Sequence, residues 1–525
     1  MSEPVDDLYV PQRWGLSAEV IADLGDRLRR FWGRFRPCFQ TQTRDSSVHA
    51  WTYLRGLLGL EGERNFANIA RRVNGLADDG QNVQQFMSDS PWSAATVIRQ
   101  VQAEVAATPA LRHGGVVLLD ESADEKAGAK SAGAGRQHNG RLGKIEMSQV
   151  GVFLAFYKDH VWTWVDGELF LPEHWFTPAL AAERKRLGLP AEREFATKIT
   201  LGWQMLQRVI AHGLPFEAVA CDDLYGRSGW LRQQMAAAGL LYMAEVPENT
   251  QVYLRQPELR SFPSPEGNPP PEGNPPPEGN PSPEGNPPPE DDPPAEDDPL
   301  PEDDPPPERL LRPRDVTAPA AIAVRQLLTA AETRFRRIQV RSTERGDLQD
   351  PFAMRRVWTL RNGELAEEWL VIRQEDDQRY SYALSNAAPD TPAARLAWLK
   401  CVRHFVERSN QDAKSEVGWD EFQAQKFRAW EHQLALTILA TWFIAQTKHE
   451  WAQTYARDAA LLQELQVDQL PALSVANVRE LLQAVLPLPQ LSPAEATRLV
   501  IQHLVNRAHS TASRLRTQRR ARDPT

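Results

Sequence analysis

Two short stretches decide the fold of this chain: VVLLD at residues 116–120 and EAVACDD at residues 217–223. Each is an apolar run that ends in an acidic residue, which is typical of a buried strand with a carboxylate at its end. QVGVFLAFY (149–157) and VWTWVDGEL (161–169) are also rich in strand-forming residues, and FATKITLGWQMLQRVIAHG (195–213) has helical spacing. The pattern therefore predicts three strands, a helix and a fourth strand, which is an α/β unit.

This order of elements resembles the ribonuclease H fold, in which acids at strand ends meet at one edge of the sheet. We therefore expect residues 114–255 to form the first part of a ribonuclease-H-like catalytic core, with Asp120 and Asp222 near each other. A lone Asp at a strand end is usually just a polar terminus. The pair gains significance only together with a third acid from a later helix.

Residues 1–110, before this core, are predicted to be mostly helical. Ser17 can cap a helix over 18–35, and the segments that follow repeat the same apolar spacing. Short helices with interspersed arginines suit a DNA-binding domain, but they suit any other all-helical module equally well.

Residues 263–308 repeat the unit PEGNPP, which then decays to PEDDPP. The segment holds 20 of the 41 prolines and 14 acidic residues, with no Lys or Arg. Proline removes a backbone donor and like charges favour extension, so we interpret the segment as a low-complexity linker. Without those 14 charges, the formal net charge of −10 becomes +4 for the rest of the chain, which is compatible with a DNA partner.

After the linker, residues 309–388 contain three predicted strands and are interpreted as a β-rich insertion. Residues 389–450 are predicted to supply a catalytic helix and the end of the core. Residues 451–525 are predicted to be a helical C-terminal region with a basic tail. The longest strongly apolar helical stretch, residues 434–445, indicates a buried helix rather than a membrane span.

The start of the chain lacks the pattern of a signal peptide, and its three cysteines show no paired metal-ligand spacing. Both features favour a cytoplasmic protein with free thiols. Without a Cys or His cluster, a metal site built from the acids would favour Mg²⁺ or Mn²⁺ over zinc. Cleavage of a phosphodiester needs an activated water and charge compensation at the leaving oxygen, and two divalent ions held by carboxylates supply both.

The predicted helix at 391–418 offers the third acid. Arg403, Glu407 and Lys414 are spaced so that all three fall on one face of a continuous helix. An acid between two cations could hold a metal ion between phosphate-binding groups. The alternative is an ordinary surface helix with i,i+4 ion pairs.

The segment VERSNQDAKSEVGWDEF (406–422) resembles the third-acid segment of bacterial insertion-sequence DDE transposases. In that superfamily Tyr, Arg, Glu and Lys recur with gaps of two, three and six residues. Arg403, Glu407 and Lys414 match these gaps, whereas Lys400 stands where the Tyr is usual. This departure puts in doubt the phosphate contact that a Tyr hydroxyl would make.

The other two acids lie in segments that resemble the same superfamily. Asp120, Glu121 and Ser122 match the start of the first-Asp block of the IS-four-like superfamily, IS-seven-oh-one branch. ACDDLYG (220–226) is similar to the second-Asp block, in which the Asp stands three residues before the Tyr of Tyr-Gly and is therefore Asp222. The resemblance extends from about residue 45 to residue 450 apart from the linker.

The resemblance implies a transposase that cuts the ends of its element and transfers them to target DNA. Asp120, Asp222 and Glu407 would be the catalytic residues and would hold two Mg²⁺ or Mn²⁺ ions. Arg403 and Lys414 would position phosphates, with Lys400 in the same groove. The partners implied are double-stranded DNA and a second copy of the chain, with no membrane, in the bacterial cytoplasm near the nucleoid.

Residues 124–144 form a glycine-rich segment whose bases could neutralise phosphates. The candidate DNA-binding residues there are Lys126, Lys130, Arg136, Arg141 and Lys144. A flexible solvated loop is the alternative for this segment. For the whole chain, the alternatives are a domesticated or inactive transposase that only binds DNA, and a ribonuclease-H-like nuclease or resolvase.

Overall fold

The computed structural model describes residues 7–75, 77–139, 143–259, 312, 315–330, 333–343, 346–467, 470–486 and 501. The linker at 263–308, Arg141 and the basic C-terminal tail therefore lie outside the described residues. Among the helices described, none combines the length and the apolar character needed to cross a lipid bilayer. All three cysteines are free thiols.

The fold is a mixed α/β structure built on one large sheet, consistent with the ribonuclease-H-like core that the sequence predicts. The first strands of the sheet are β1 (Val116–Glu125), β2 (Gly135–Asn139), β3 (Lys144–Lys158), β4 (Val161–Phe170), β5 (Ala218–Cys221) and β6 (Leu241–Val246). Strand β1 lies at the centre, antiparallel to β3 and parallel to β5, and β6 continues parallel to β5. The predicted strands therefore all exist, and the parallel arrangement brings the ends of β1 and β5 to the same edge.

The strands predicted as a β-rich insertion continue this same sheet. They are β11 (Arg336–Thr343), β12 (Gly346–Arg361), β13 (Glu364–Gln374) and β14 (Tyr380–Ser385). Strand β14 pairs antiparallel with β6, and β13, β12 and β11 follow in order outwards. Four short strands, β7 (Gln251–Val252), β8 (Glu258–Leu259), β9 (Val316–Ala318) and β10 (Ile322–Ala323), form two small ladders outside the large sheet.

Helices precede the sheet, as the apolar spacing predicts. They are α1 (Ala18–Ala22), α2 (Leu24–Phe35), α3 (Ser47–Gly59), α4 (Phe66–Asn74), α5 (Gln81–Ser88) and α6 (Ala94–Ala107). The Ser17 side chain caps α1 by accepting from the Val20 N–H, but the predicted single helix divides at Asp23. Buried residues of these helices belong to the same hydrophobic cluster as the sheet, so the two share a core.

The remaining helices cover the sheet or close the core. They are α7 (Ala181–Leu187), α8 (Lys198–Ala211), α9 (Asp223–Gly226), α10 (Gly229–Ala237), α11 (Ala393–Val402), α12 (His404–Ser415), α13 (Phe427–Thr454), α14 (Ala460–Glu464) and α15 (Val475–Val485). The predicted buried helix at 434–445 is the centre of the longer α13, which packs against β4 and α6. The predicted helix at 391–418 is interrupted at Arg403, so Lys400 and Glu407 lie on two different helices.

Deleting residues 263–308 and joining the ends with a short Gly/Ser link should preserve folding. Strands β8 and β9 pair on either side of the linker, with Glu258 opposite Ala318, so the chain is already brought together there. The deleted segment has almost no apolar residues to bury. A thermal melt of the shortened protein should match that of the full chain, and a large fall in Tm or in solubility would contradict the prediction.

Candidate active site

Three carboxylates meet where β1 and β5 end at the same edge of the sheet. Asp120, Glu121 and Asp222 each place one oxygen within 4.8 Å of the oxygens of the other two. Asp120 and Glu121 lie in β1 beyond Leu119, the last residue of β1 that pairs with β5. Asp222 directly follows β5. The strand-end acids expected from the sequence are therefore brought together, and Glu121 joins them.

The group spans both faces of the sheet. Side chains alternate along a strand, so Asp120 and Glu121 project to opposite sides of β1. Glu121 lies on the side of α8, where the Lys198 ammonium is 3.4 Å from its Oε1. Asp120 lies on the side of Arg403, whose Nη1 is 3.7 Å from Asp120 Oδ2. A cation therefore compensates the carboxylates from each face.

Asp222 has a structural role in addition to its place in the group. Its Oδ1 accepts hydrogen bonds from the N–H groups of Leu224 at 3.1 Å and Tyr225 at 3.4 Å. The side chain thus caps α9 and is held in a fixed orientation by the backbone. Any substitution that tests its charge must preserve this cap.

Burial and mutual repulsion disfavour ionisation of Asp120 and Asp222. Burial, followed by the charges of Asp222 and Glu121, raises the pKa of Asp120 well above its usual value. Burial and the charge of Glu121 raise the pKa of Asp222 to about 7. A bound cation would relieve the repulsion, because it stabilises the ionised form of each carboxylate.

Glu407 is not one of the three clustered acids, but it is linked to Asp120 through Arg403. The Arg403 guanidinium contacts Glu407 Oε1 at 2.8 Å and Glu245 Oε2 at 3.1 Å, in addition to Asp120. Glu407 is half exposed, and the neighbouring side chains of His404 and Arg403 lower its pKa. The third acid expected from the sequence is therefore an ionised carboxylate that shares one guanidinium with Asp120.

Lys400 was expected to bind a DNA phosphate, but in the structure it pairs with a carboxylate of the protein. The side chain is 3% exposed, and its ammonium makes an ion pair with Glu245 on β6. Despite burial, the cations Lys400 and Arg403 lower the pKa of Glu245. Lys400 therefore shares Glu245 with Arg403 inside the protein, and its expected place in the DNA groove does not follow from the structure.

Replacing Lys400 with Met should lower the free energy of unfolding by about 3 kcal/mol, because one partner of a buried ion pair is lost. Urea denaturation measures the change. The matched control is Lys426→Met, since Lys426 pairs with Asp89 at an exposed position and the loss should stay below about 1 kcal/mol. Equal stabilities of the two variants would show that the Lys400–Glu245 pair contributes no more than a surface pair.

Two other cations that were expected to bind DNA make their contacts within the protein. The Lys414 ammonium donates to the Ala123 carbonyl at 2.9 Å and lies 3.3 Å from Asp124 Oδ1. The Lys126 ammonium donates to the Phe422 carbonyl at 3.0 Å, and burial lowers the pKa of Lys126. Both cations connect the first-Asp strand and the loop after it to the later part of the chain, so their DNA contacts would require these bonds to open.

The glycine-rich segment does present cations to solvent. Lys130, Arg136 and Lys144 are exposed. Lys144 also forms an ion pair with Glu146 on its own strand. These exposed residues are the part of the expected DNA-binding set that the structure leaves accessible.

Sequence reasoning did not single out Glu121 as a site residue, nor Glu245 or Lys198. Glu121 was visible as the second acid of a pair, but strand alternation predicts that it points away from Asp120. Glu245 was visible as an acid in the otherwise apolar LYMAEV strand (241–246). Lys198 carries no local signal, since its contact with Glu121 depends on how α8 packs against the sheet.

The donor set fits a divalent cation. All three groups are carboxylates, which hard cations such as Mg²⁺ prefer. Glu121 Oε2 is buried and has no hydrogen-bond partner among the residues described, so an acceptor inside the group is left unsatisfied. Buried acceptors normally have a partner, and a cation held between these oxygens would provide one.

Comparison with known proteins is consistent with this geometry. Residues 34–292 match the family described as DDE superfamily endonuclease. The matched residues include Asp120, Glu121 and Asp222, whereas Glu407 lies beyond them. The chain is also similar to the probable transposase for insertion sequence element IS701 of Microchaete diplosiphon, with 28% identity over 189 residues. That alignment covers 35% of this chain and 44% of the relative, so it spans less than half of the relative's length.

Proposed function

We propose, on the premise that residues 34–292 match the family described as DDE superfamily endonuclease, that the chain is an insertion-sequence transposase. The reaction proposed is metal-dependent cleavage at the ends of the element, followed by transfer of those ends to target DNA. The observation that carries the proposal is the convergence of the Asp120 and Asp222 carboxylates at the ends of adjacent parallel strands.

Asp120 and Asp222 would hold divalent ions together with a third carboxylate, for which we propose Glu407. Bound there, Mg²⁺ or Mn²⁺ would supply an activated water and charge compensation for the leaving oxygen. Arg403 contacts both Glu407 and Asp120, and it balances part of the negative charge of the group. The backbone cap on Asp222 fixes the orientation of that ligand before DNA arrives.

In the second step proposed, the 3′-hydroxyl exposed by cleavage attacks a phosphorus of the target DNA. The new oxygen–phosphorus bond replaces the bond to the target's own 3′-oxygen, which leaves as a 3′-hydroxyl. Support comes from the relative, whose name is probable transposase for an insertion sequence element. A purely hydrolytic nuclease would use the same carboxylates for the first step alone.

We further propose that exposed cations beside the site contact the DNA backbone. Lys130 and Arg136 follow Asp120 in the chain and are open to solvent. Each phosphate that such a cation neutralises adds about 0.9 to the slope of log affinity against log salt. The ribonuclease-H-like core, the helical DNA-binding role of residues 1–110 and action as a homodimer on two ends belong to the same proposal.

The test uses the full-length protein and a supercoiled plasmid carrying the DNA that flanks the gene. Cleavage at the element ends in Mg²⁺, with joined products, is the expected result. Cleavage without joined products would instead identify a nuclease or resolvase. Specific binding of the ends without cleavage would indicate a DNA-binding protein derived from a transposase.

A further inference from the structure

Two buried polar atoms beside the carboxylate group lack partners. They are Glu121 Oε2 and the hydroxyl of Tyr225, and neither has a hydrogen-bond partner in the part of the chain that the structure describes. Tyr225 is fully buried. Burial, followed by the charges of Glu121, Asp222 and Asp120, raises the pKa of Tyr225. A hydroxyl donor and a carboxylate acceptor next to the same group are thus both left unsatisfied by the residues described.

Helix α8 holds both atoms in place on its face of the sheet. Lys198 and Gly202 are one helical turn apart, so they share a face of α8. Lys198 lies 3.4 Å from Glu121 Oε1, the other oxygen of the same carboxylate. A Cβ at position 202 would lie 2.8 Å from Leu119 Cδ2 and 3.4 Å from Tyr225 Cε1, so glycine leaves room for Leu119 and lets α8 pack close to the tyrosine ring.

Tyr225 also contacts Asp222 through its backbone. Its backbone N–H donates to Asp222 Oδ1 at 3.4 Å, in the first turn after β5. One residue thus contributes its backbone to the orientation of Asp222 and places its hydroxyl beside Glu121. Tyr225 therefore lies next to both the Asp222 and the Glu121 carboxylates.

We propose that Tyr225 and Lys198 are positioning residues that hold Glu121 as an additional carboxylate ligand of the metal site. Lys198 holds Oε1, and with a metal ion bound the Tyr225 hydroxyl donates to Oε2. Residues that orient a ligand in this way normally affect metal affinity strongly. The inference rests on the proposed metal site, but it concerns α8 and the residues beside it rather than the DNA reaction.

The test is a titration of the metal-free full-length protein with MnCl₂, followed by the paramagnetic resonance signal of free Mn²⁺. Tyr225→Phe and Glu121→Gln should each weaken Mn²⁺ affinity by about tenfold or more. The control is Tyr53→Phe, because Tyr53 is equally buried but its hydroxyl donates to Gln433 at 2.6 Å, in a bond unrelated to Glu121. This control should bind Mn²⁺ like the wild type.

A merely structural role for Tyr225 predicts a different result. Under the positioning role, the hydroxyl has no partner among the described residues of the metal-free protein, so its removal should leave the Tm of that form nearly unchanged, while the rise in Tm on adding Mn²⁺ becomes smaller. In cleavage assays Tyr225→Phe should raise the Mn²⁺ concentration for half-maximal rate and leave the rate at saturation within about twofold. If Tyr225→Phe does not fold, Lys198→Met tests the same carboxylate from its other oxygen.

Unchanged Mn²⁺ affinity in both Tyr225→Phe and Glu121→Gln would overturn the inference, as would a wild-type protein that binds no Mn²⁺. Failure of the proposed function looks different. In that case the wild type binds Mn²⁺, and the variants weaken the binding, yet no transposon-end DNA is cut. If the wild type cuts transposon-end DNA but the variants leave Mn²⁺ affinity unchanged, the proposed function stands and Tyr225 has no role in it.

Discussion

Replacing Asp222 with Asn is expected to lower the rate of Mg²⁺-dependent cleavage by about 10³-fold or more, since one ionic metal ligand supplies several kcal/mol of the catalytic effect. Asn still accepts hydrogen bonds at a helix N-cap, so the bonds from Leu224 and Tyr225 can persist. DNA binding should stay within about twofold of wild type, because few phosphate contacts are lost. Cleavage rates and binding isotherms on the same end DNA separate the two effects.

The matched control for this prediction is Asp223→Asn, one residue further along. Asp223 is half exposed, and its carboxylate pairs with Arg227 at 3.2 Å within the same short helix, not with the metal group. This variant removes one negative charge from the same segment and should cut DNA like the wild type. Wild-type cleavage by Asp222→Asn, or an equal loss in both variants, would remove Asp222 from the catalytic centre.

Replacing Glu407 with Gln is expected to lower the cleavage rate by about 10²-fold or more, because the third carboxylate is lost as a ligand. The variant should fold normally, since Glu407 is 52% exposed and its pair with Arg403 is partly solvated. Arg403 would keep its contacts with Asp120 and Glu245. Single-turnover cleavage at saturating Mg²⁺ measures the loss, and thermal melts check the fold.

Glu367→Gln is the control for Glu407, because Glu367 forms a comparable Glu–Arg pair with Arg356 at 3.0 Å and is 40% exposed. It should cut DNA at the wild-type rate. The comparison with Glu121→Gln is equally informative. Normal cleavage by Glu407→Gln together with complete loss in Glu121→Gln would transfer the role of the third carboxylate from α12 to β1.

Several features of the fold and the site could be predicted from local sequence. VVLLD and EAVACDD are apolar over the length of a buried strand and end in acids, and parallel strands that share a core must end at the same edge. Asp120 and Asp222 therefore had to come close if both strands were adjacent. The helices before the sheet were likewise predictable, because apolar residues at helical spacing need a common surface to pack against.

Other features depended on neighbours that are distant in the chain. The strands predicted as a β-rich insertion extend the central sheet, because β14 pairs with the free edge of β6. Lys400 pairs with Glu245, whereas helical periodicity alone would place it near Arg403 on a DNA-facing surface. Periodicity describes one element, but a buried ammonium goes wherever the fold offers a buried carboxylate.

Glu121 shows most clearly which features follow from local sequence and which depend on packing between distant segments. The sequence by itself determined that two acids end β1 and that strand alternation separates their side chains onto opposite faces. The pairing of Cys221 with Leu119 depends on the packing of distant strands, and it brings Asp222 within reach of both acids. Only the tertiary structure decided that α8 brings Lys198 to Glu121. These contacts could not be predicted, because the cations Lys198 and Arg403 that balance the three clustered carboxylates come from elements whose packing no local pattern specifies.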